Sequence, residues 1–344
     1  MCDIINMKYF YFRKEKIMLN VAMLSKWHVH APGYANQIKN TGKVAIKAVW
    51  DDDVERGSAW AKEIGADFEP DLAKLLARDD IEAVFCDAPT TAHKDIIISA
   101  AKAGKHIFTE KALCPTVEDC LEVKKAVEDA GVIFTISFPE RFFPSFILAQ
   151  KLIAEGAFGK ISTIRRRKAH SGVSGKWLPE YWFEEKDAAG GAMMDLGCHP
   201  MYDLAYFGGK VKRITGMFNS PLGSKVDENA VSVMEFENGI IGIAETGFMS
   251  YASPDVLEIY GTDGTLVCHG NDVKVRSKLL APFTNDWIRP TMPQAGTPPI
   301  IQFVDACINK TASPALCTID DAIDLTRLLE NTYKADRSNS IATL

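Results

Sequence analysis

The chain has 344 residues, 47% of them hydrophobic and 24% charged, with a formal net charge of −6. That length is generous for one core and comfortable for two domains. The acidic balance argues against nucleic acid as a partner. No apolar run reaches the roughly 20 residues that a bilayer-spanning helix needs. The eight cysteines include no C-x-x-C pair, which excludes the usual zinc-knuckle and thioredoxin patterns. They read as small core residues of a reducing, cytoplasmic compartment. Residues 1–18 read as an N-terminal extension. Tyr9-Phe10-Tyr11-Phe12 precedes Arg13-Lys14-Glu15-Lys16, the reverse of the order in a signal peptide.

From Leu19 onward, short apolar runs alternate with helical patterns. Leu19–Leu24 predicts a strand, and a loop follows it. A helix runs from Pro32 to Asn40, with proline in the first turn, where its missing N–H has no partner to lose. Val44–Trp50 is a second strand, closed by Asp51-Asp52-Asp53. Helices at Glu55–Ile64 and Asp71–Ala77 lead to a strand at Ile81–Cys86. A helix at Thr91–Ala103 then precedes a strand at His106–Thr109. Thr116, with Asp119 three residues on, caps a helix reaching Ala130, and Val132–Ser137 closes the series. Such alternation predicts βαβ units and a doubly wound parallel sheet of Rossmann type over residues 19–137.

Beyond residue 137 strand candidates follow one another with few helices between. They are Ile161–His170, Lys212–Phe218, Ala230–Phe236, Ile240–Phe248, Val256–Tyr260, Thr265–Cys268 and Val273–Val275. Asn238-Gly239 and Asp263-Gly264 are hairpin signals. Helices are expected at Phe146–Glu155, Ala192–Phe207, Ile300–Asn309 and Asp320–Arg337. Residues 138–344 therefore read as an α+β domain on a large, mostly antiparallel sheet. Arg165-Arg166-Arg167-Lys168 lies in one of its strands, so its charges face alternate sides and form no continuous basic stripe.

Five places carry candidate chemistry. After the first strand a dinucleotide fold would place G-x-G-x-x-G, but the three glycine positions hold Ser25, Trp27 and His30. The helix N-terminus behind them still favours an anion, and Lys26 or a protonated His28 adds charge. The alternative is that Trp27 fills the groove and no phosphate binds. Asp51 ends the second strand, where a carboxylate can accept from ribose hydroxyls and repel a 2′-phosphate. That favours NAD over NADP, unless Asp51 is only part of an acidic turn. Pro89, Thr90 and His93 follow the strand ending at Cys86, at the ligand-binding edge of a parallel sheet; His93 reads equally as a helix-start residue. Glu110 and Lys111 end the next strand. Desolvation there can lower the pKa of a lysine and suit it to proton transfer, although an isolated Glu-Lys pair is more often a solvated one. The strongest signal is Gly190-Gly191-Ala192-Met193-Met194-Asp195-Leu196-Gly197-Cys198-His199-Pro200. It places Asp195 and His199 four apart on one helix face, a carboxylate orienting an imidazole for general-base work. A metal set would need further ligands, His170 being the obvious one, and no metal is expected.

Ala103-Gly104-Lys105-His106-Ile107-Phe108-Thr109-Glu110-Lys111 and the Gly190–Pro200 segment resemble those of the Gfo/Idh/MocA oxidoreductases, from Leu19 to about Arg337. Ala112 stands where the family usually has proline, and the glycine loop departs from its pattern. The resemblance implies a nicotinamide cofactor, NAD before NADP, bound by Ser25, Lys26, Trp27, His28, Asp51, Pro89, Thr90, His93, Glu110 and Lys111. It implies Lys111, Asp195 and His199 as catalytic residues, and hydride transfer from a hydroxyl-bearing carbon of a sugar-like or cyclitol-like polyol. Arg141, His170, Trp177 and Trp182 are substrate-pocket candidates. A homodimer or homotetramer through the second sheet is also implied. The competing expectations are a hydrolase or lyase with retained NAD, and a ligand sensor that has lost its cofactor.

Overall fold

The computed structural model describes residues 18–283 and 285–344. The expectations for residues 1–17 lie outside these. The first domain runs β1 (Leu19–Leu24), α1 (Ala31–Asn40), β2 (Val44–Trp50), α2 (Val54–Ile64), β3 (Asp67–Phe68), α3 (Leu72–Leu76), β4 (Ala83–Cys86), α4 (His93–Lys102), β5 (His106–Thr109), α5 (Val117–Ala130) and β6 (Phe134–Ile136). The six strands are parallel in the order β3-β2-β1-β4-β5-β6. The order reverses between β1 and β4, which opens a crevice at their carboxyl ends. All four residues of β4 are buried, as expected of a strand covered on both faces. Thr116 accepts from the Asp119 amide and caps α5.

The second domain runs α6 (Pro144–Ala154), β7 (Ile161–Ala169), α7 (Glu185–Ala188), α8 (Ala192–Asp195), α9 (Cys198–Gly208), β8 (Val211–Asn219), β9 (Asn229–Phe236), β10 (Ile241–Gly247), β11 (Val256–Gly261), β12 (Gly264–His269), β13 (Asp272–Ser277), α10 (Pro299–Asn309), α11 (Ile319–Ser338) and β14 (Ala342–Thr343). Its eight-stranded sheet has the order β13-β12-β11-β7-β10-β9-β8-β14. Every pair is antiparallel except β7 with β10. Helices α9 and α11 cover one face. On the other, Arg165 and Arg167 pair with Glu245, while Val231, Val233 and Ile241 are partly exposed. Arg166 and Lys168 point the opposite way, onto buried carboxylates. The seven cysteines among the described residues are free and buried. No helix among these residues is long and apolar enough to cross a membrane.

Two expectations change. Helix α10 follows seven strands of the second sheet in sequence but packs on the first: Phe303 meets Phe85 and Phe108. A cut at residue 137 thus leaves one helix of the first domain's core on the wrong side. The helix expected over Ala192–Phe207 is broken between α8 and α9. Around the break the Gly197 amide reaches back to Ala192, and the His199 amide to Leu196, so the i→i−4 ladder is interrupted.

Asp227 fixes the start of α8. Its carboxylate accepts from the Gly191 and Met193 amides, and its carbonyl from the Ala192 amide. A Cβ on Gly191 would lie 2.0 Å from that carbonyl oxygen. Gly191→Ala is therefore expected to destabilise the fold by about 2 kcal/mol or more, the scale of core overpacking. An unchanged denaturation midpoint would show that this close approach is not a constraint.

Candidate functional site

The carboxyl ends of β1, β4 and β5 meet α8 and α9 of the second domain, and here most of the sequence candidates converge. Lys111 leaves the end of β5 with its side chain 2% exposed. Its ammonium donates to the Asp195 carboxylate at 2.9 Å and the Asp195 carbonyl at 2.6 Å. Burial disfavours that charge, but the Asp195 carboxylate together with Cys198 and Glu110 outweighs it and holds the ammonium above its ordinary pKa. The expectation of a lowered lysine pKa is thus corrected: Lys111 is a fixed cation. Asp195 also accepts from Trp182 Nε1 at 3.3 Å and lies 3.5 Å from His28 Nε2.

The Asp195–His199 pair does not form, because the break at Leu196-Gly197 removes their common face. His199 is buried, and its Nδ1 meets the Tyr202 hydroxyl at 2.8 Å and Glu140 at 3.5 Å. Burial holds this imidazole well below its ordinary pKa, against the pull of Glu140, so it is neutral. The carboxylate beside His199 is Glu140, from the turn before α6, which also pairs with Arg166 and Lys168. Arg166 in turn pairs with Asp203 at 2.8 Å. Sequence reading missed Glu140 and Tyr202; the inward-facing Arg166 and Lys168 of β7 were the available signal, since buried cations require anions.

The loop after β1 is built on side chains. Ser25 holds a left-handed φ of 74°, which keeps the tight turn of a first glycine position. Its Oγ accepts from the Trp27 amide. Trp27 is 5% exposed and stacks on Trp182 at 4.5 Å and 9°, and the Tyr181 hydroxyl donates to its carbonyl. Trp182 is thereby an interdomain clamp, its ring face covered by Trp27. The Lys26 side chain turns to α2, where it meets Glu63, away from the start of α1. The Asp51 side chain is fully buried and accepts from the Lys26 and Asp53 amides and twice from Arg56. Ribose hydroxyls can reach it only if Arg56 gives way.

His28 is 3% exposed, and burial lowers its pKa to about 4. His30 meets Glu110 at 2.8 Å, and the Tyr34 hydroxyl donates to the same carboxylate oxygen. Burial works against charge on Glu110, yet the surrounding imidazoles and Lys111 keep it well below the ordinary carboxylate range. Asp87 is buried with neither carboxylate oxygen hydrogen-bonded; burial and then the Glu110 charge push its carboxyl up.

The remaining candidates divide. Pro89 and Thr90 sit buried at the end of β4. The His93 ring lies between the carbonyls of Ala88, Ala112 and Leu113. It ties two strand-end loops together and is 1% exposed, so it does not face the crevice as a cofactor contact. His170 stacks on Phe248, and Trp177, half exposed, packs edge-on against His170. Arg141 is turned elsewhere. It donates to Asp321 and the Leu316 carbonyl and lines a cavity of about 620 Å³ whose wall contains none of Lys111, Asp195 and His199. The pull of Asp321 removes it from the substrate-pocket set.

This site fits a nicotinamide dinucleotide at the switch point, at the Ser25 turn and at the Lys111 end. At the adenosine end Arg56 must release Asp51. Residues 26–138 match the Gfo/Idh/MocA oxidoreductase family with an NAD-binding Rossmann fold, and residues 146–267 match the Gfo/Idh/MocA C-terminal domain. The chain belongs to the Gfo/Idh/MocA oxidoreductase family. It is 28% identical over 243 residues to levoglucosan dehydrogenase of Pseudarthrobacter phenanthrenivorans, covering 63% of this chain and 62% of that one. It is 29% identical over 220 residues to scyllo-inositol 2-dehydrogenase (NAD(+)) of Bacillus subtilis, covering 61% and 62%. The chain thus spans less than two thirds of the length of these curated relatives. A levoglucosan dehydrogenase structure in complex with NADH superposes with a TM-score of 0.82 at 22% identity, over 94% of this chain and 98% of that one.

The Glu140 network yields a stability prediction. Glu140→Gln leaves Arg166 and Lys168 short of an anion in the interior and is expected to cost about 3–5 kcal/mol. Lys125→Ala, which breaks an exposed pair with Asp129, is expected to change stability little. Equal denaturation midpoints for the two variants would show that the buried network contributes no more than a surface pair.

Proposed function

We propose that the chain is an NAD-dependent dehydrogenase that oxidises a hydroxyl-bearing carbon of a sugar-like or cyclitol-like polyol. The observation that carries this reading is the Lys111 ammonium fixed at the end of β5 by Asp195, with a neutral His199 close enough to feel its charge. The names of the relatives support the substrate class. When bound, the nicotinamide supplies the hydride acceptor. Lys111 stabilises negative charge as it develops on the substrate oxygen. His199 accepts the hydroxyl proton, and Glu140 with Tyr202 orients the ring and stabilises the imidazolium. Asp195 holds Lys111 in place. His170 and Trp177 border the substrate side. A second reading, a ligand-binding protein without turnover, is favoured by the Trp27–Trp182 stack and by the occupied Asp51. Placement in the cytoplasm goes with the first reading.

Calorimetric titration of cofactor-stripped protein separates the two. The dehydrogenase reading expects micromolar to submillimolar NAD binding, with NADP weaker; no binding of either moves the second reading to first place. Lys111→Ala and His199→Ala are each expected to lower turnover by about two orders of magnitude, and near-normal rates in both would remove these assignments. We also propose that the open face of the second sheet pairs two chains as a homodimer, or as half of a homotetramer. Val233→Glu is expected to shift the sedimenting species toward monomer, and a wild-type monomer at micromolar concentration would refute the pairing.

A further inference from the structure

Among the described residues, one group of three His, Cys, Asp or Glu side chains brings its ligand atoms within 4.8 Å of one another: His28, His30 and Glu110. None of the three comes from the Asp195–His199 helices. Two belong to the loop that replaces the glycines, and the third precedes Lys111. His30 Nδ1 lies 2.8 Å and His28 Nδ1 3.9 Å from the same Glu110 oxygen. Four-coordinate metal–ligand bonds of about 2.0–2.2 Å place neighbouring donors roughly 3.4 Å apart, so each of these two separations needs to change by less than an ångström. A cation must displace two contacts, the His30 amide donating to His28 Nδ1 at 3.2 Å and the hydrogen bond between His30 Nδ1 and Glu110.

We propose that His28, His30 and Glu110 form a binding site for a divalent first-row transition metal. Two imidazoles and one carboxylate are the donor set such ions take, with positions left open. A second, independent feature points the same way. Asp87 is 1% exposed, and neither of its oxygens has a hydrogen-bond partner. A buried carboxylate without a partner calls for an explanation, and a cation beside Glu110 provides one. Access is available. The His30 side chain is 46% exposed and borders a cavity of about 300 Å³, shared with Val29, Tyr34, Ser137 and Pro299. The site stands on its own donor set and does not depend on the dehydrogenase reading.

The test is calorimetric titration of the tag-free, full-length chain with Zn²⁺, repeated with Co²⁺ while recording the visible absorption of the bound ion. The wild type is expected to bind one equivalent. His30→Ala, a change at a half-exposed side chain, is expected to lose about tenfold or more in affinity, and Glu110→Gln likewise. His269→Ala, at an exposed histidine on β12, is expected to bind as the wild type does. Thermal melts confirm that each variant is folded, and His30→Ala carries the test if Glu110→Gln is not. Absence of stoichiometric binding, or equal affinity in wild type and His30→Ala, would overturn the proposal.

Discussion

The arrangement of the two domains depends on one buried ion pair. Lys111 ends a parallel strand of the first sheet, and a charged ammonium in that position has almost no water around it. It stays charged because Asp195, from the other domain, supplies both a carboxylate and a carbonyl. Removing one partner of such a pair leaves an uncompensated charge, which costs far more than the pair itself contributes. The ion pair therefore specifies where the two domains meet more than it adds to stability. Trp182 and Trp27 reinforce the same junction from the side: one donates to Asp195 and stacks on the other.

From that pair, two sets of buried charges extend in opposite directions. On the first-domain side, Glu110 gathers His30, Tyr34 and the Lys111 amide. On the second-domain side, Glu140 gathers Arg166, Lys168 and, more loosely, His199. The two carboxylates differ in what neutralises them. Glu140 has two permanent cations. Glu110 has hydrogen-bond donors and imidazoles, of which His28 is neutral near pH 7. The Glu140 network, with its permanent cations, is the rigid backing of the site; the Glu110 network, which leans on imidazoles, is where a positive ligand finds donors.

The parts of this design that follow local rules were legible in the sequence. Periodicity located every strand of four or more residues, Thr116 announced its cap, and Asn238-Gly239 its hairpin, with Gly239 at a φ of 86°. Lys111 and Asp195 were each legible as site residues through family resemblance, but Asp195 was expected to partner His199 and pairs with Lys111 instead. What remained hidden depends on contacts distant in sequence. Nothing near Ala192–His199 says that the ladder will slip at Gly197, because the groups that fix the start of α8, the carboxylate and carbonyl of Asp227, lie 34 residues beyond Met193. Nothing near Arg141 announces Asp321, 180 residues away. The return of α10 to the first sheet is equally invisible to a reading in chain order. Trp27 could be seen to occupy a glycine position, but not that its ring would face Trp182.

The altered loop follows a consistent electrostatic logic. A G-x-G-x-x-G turn offers backbone amides to an anion. Here Pro32 has no amide hydrogen to offer, and the Trp27 and His30 amides donate to Ser25 Oγ and His28 Nδ1. The loop has lost donors for a phosphate, while the adjoining Glu110 adds negative charge that repels one. His28, held neutral by burial, does not reverse that sign. A divalent ion held by His28 and His30 does, and it restores at the start of α1 the positive potential that glycine amides would have supplied. On this argument the loss of the glycines and the gain of the histidines are one change, from recognition by backbone dipoles to recognition through a charge carried on side chains.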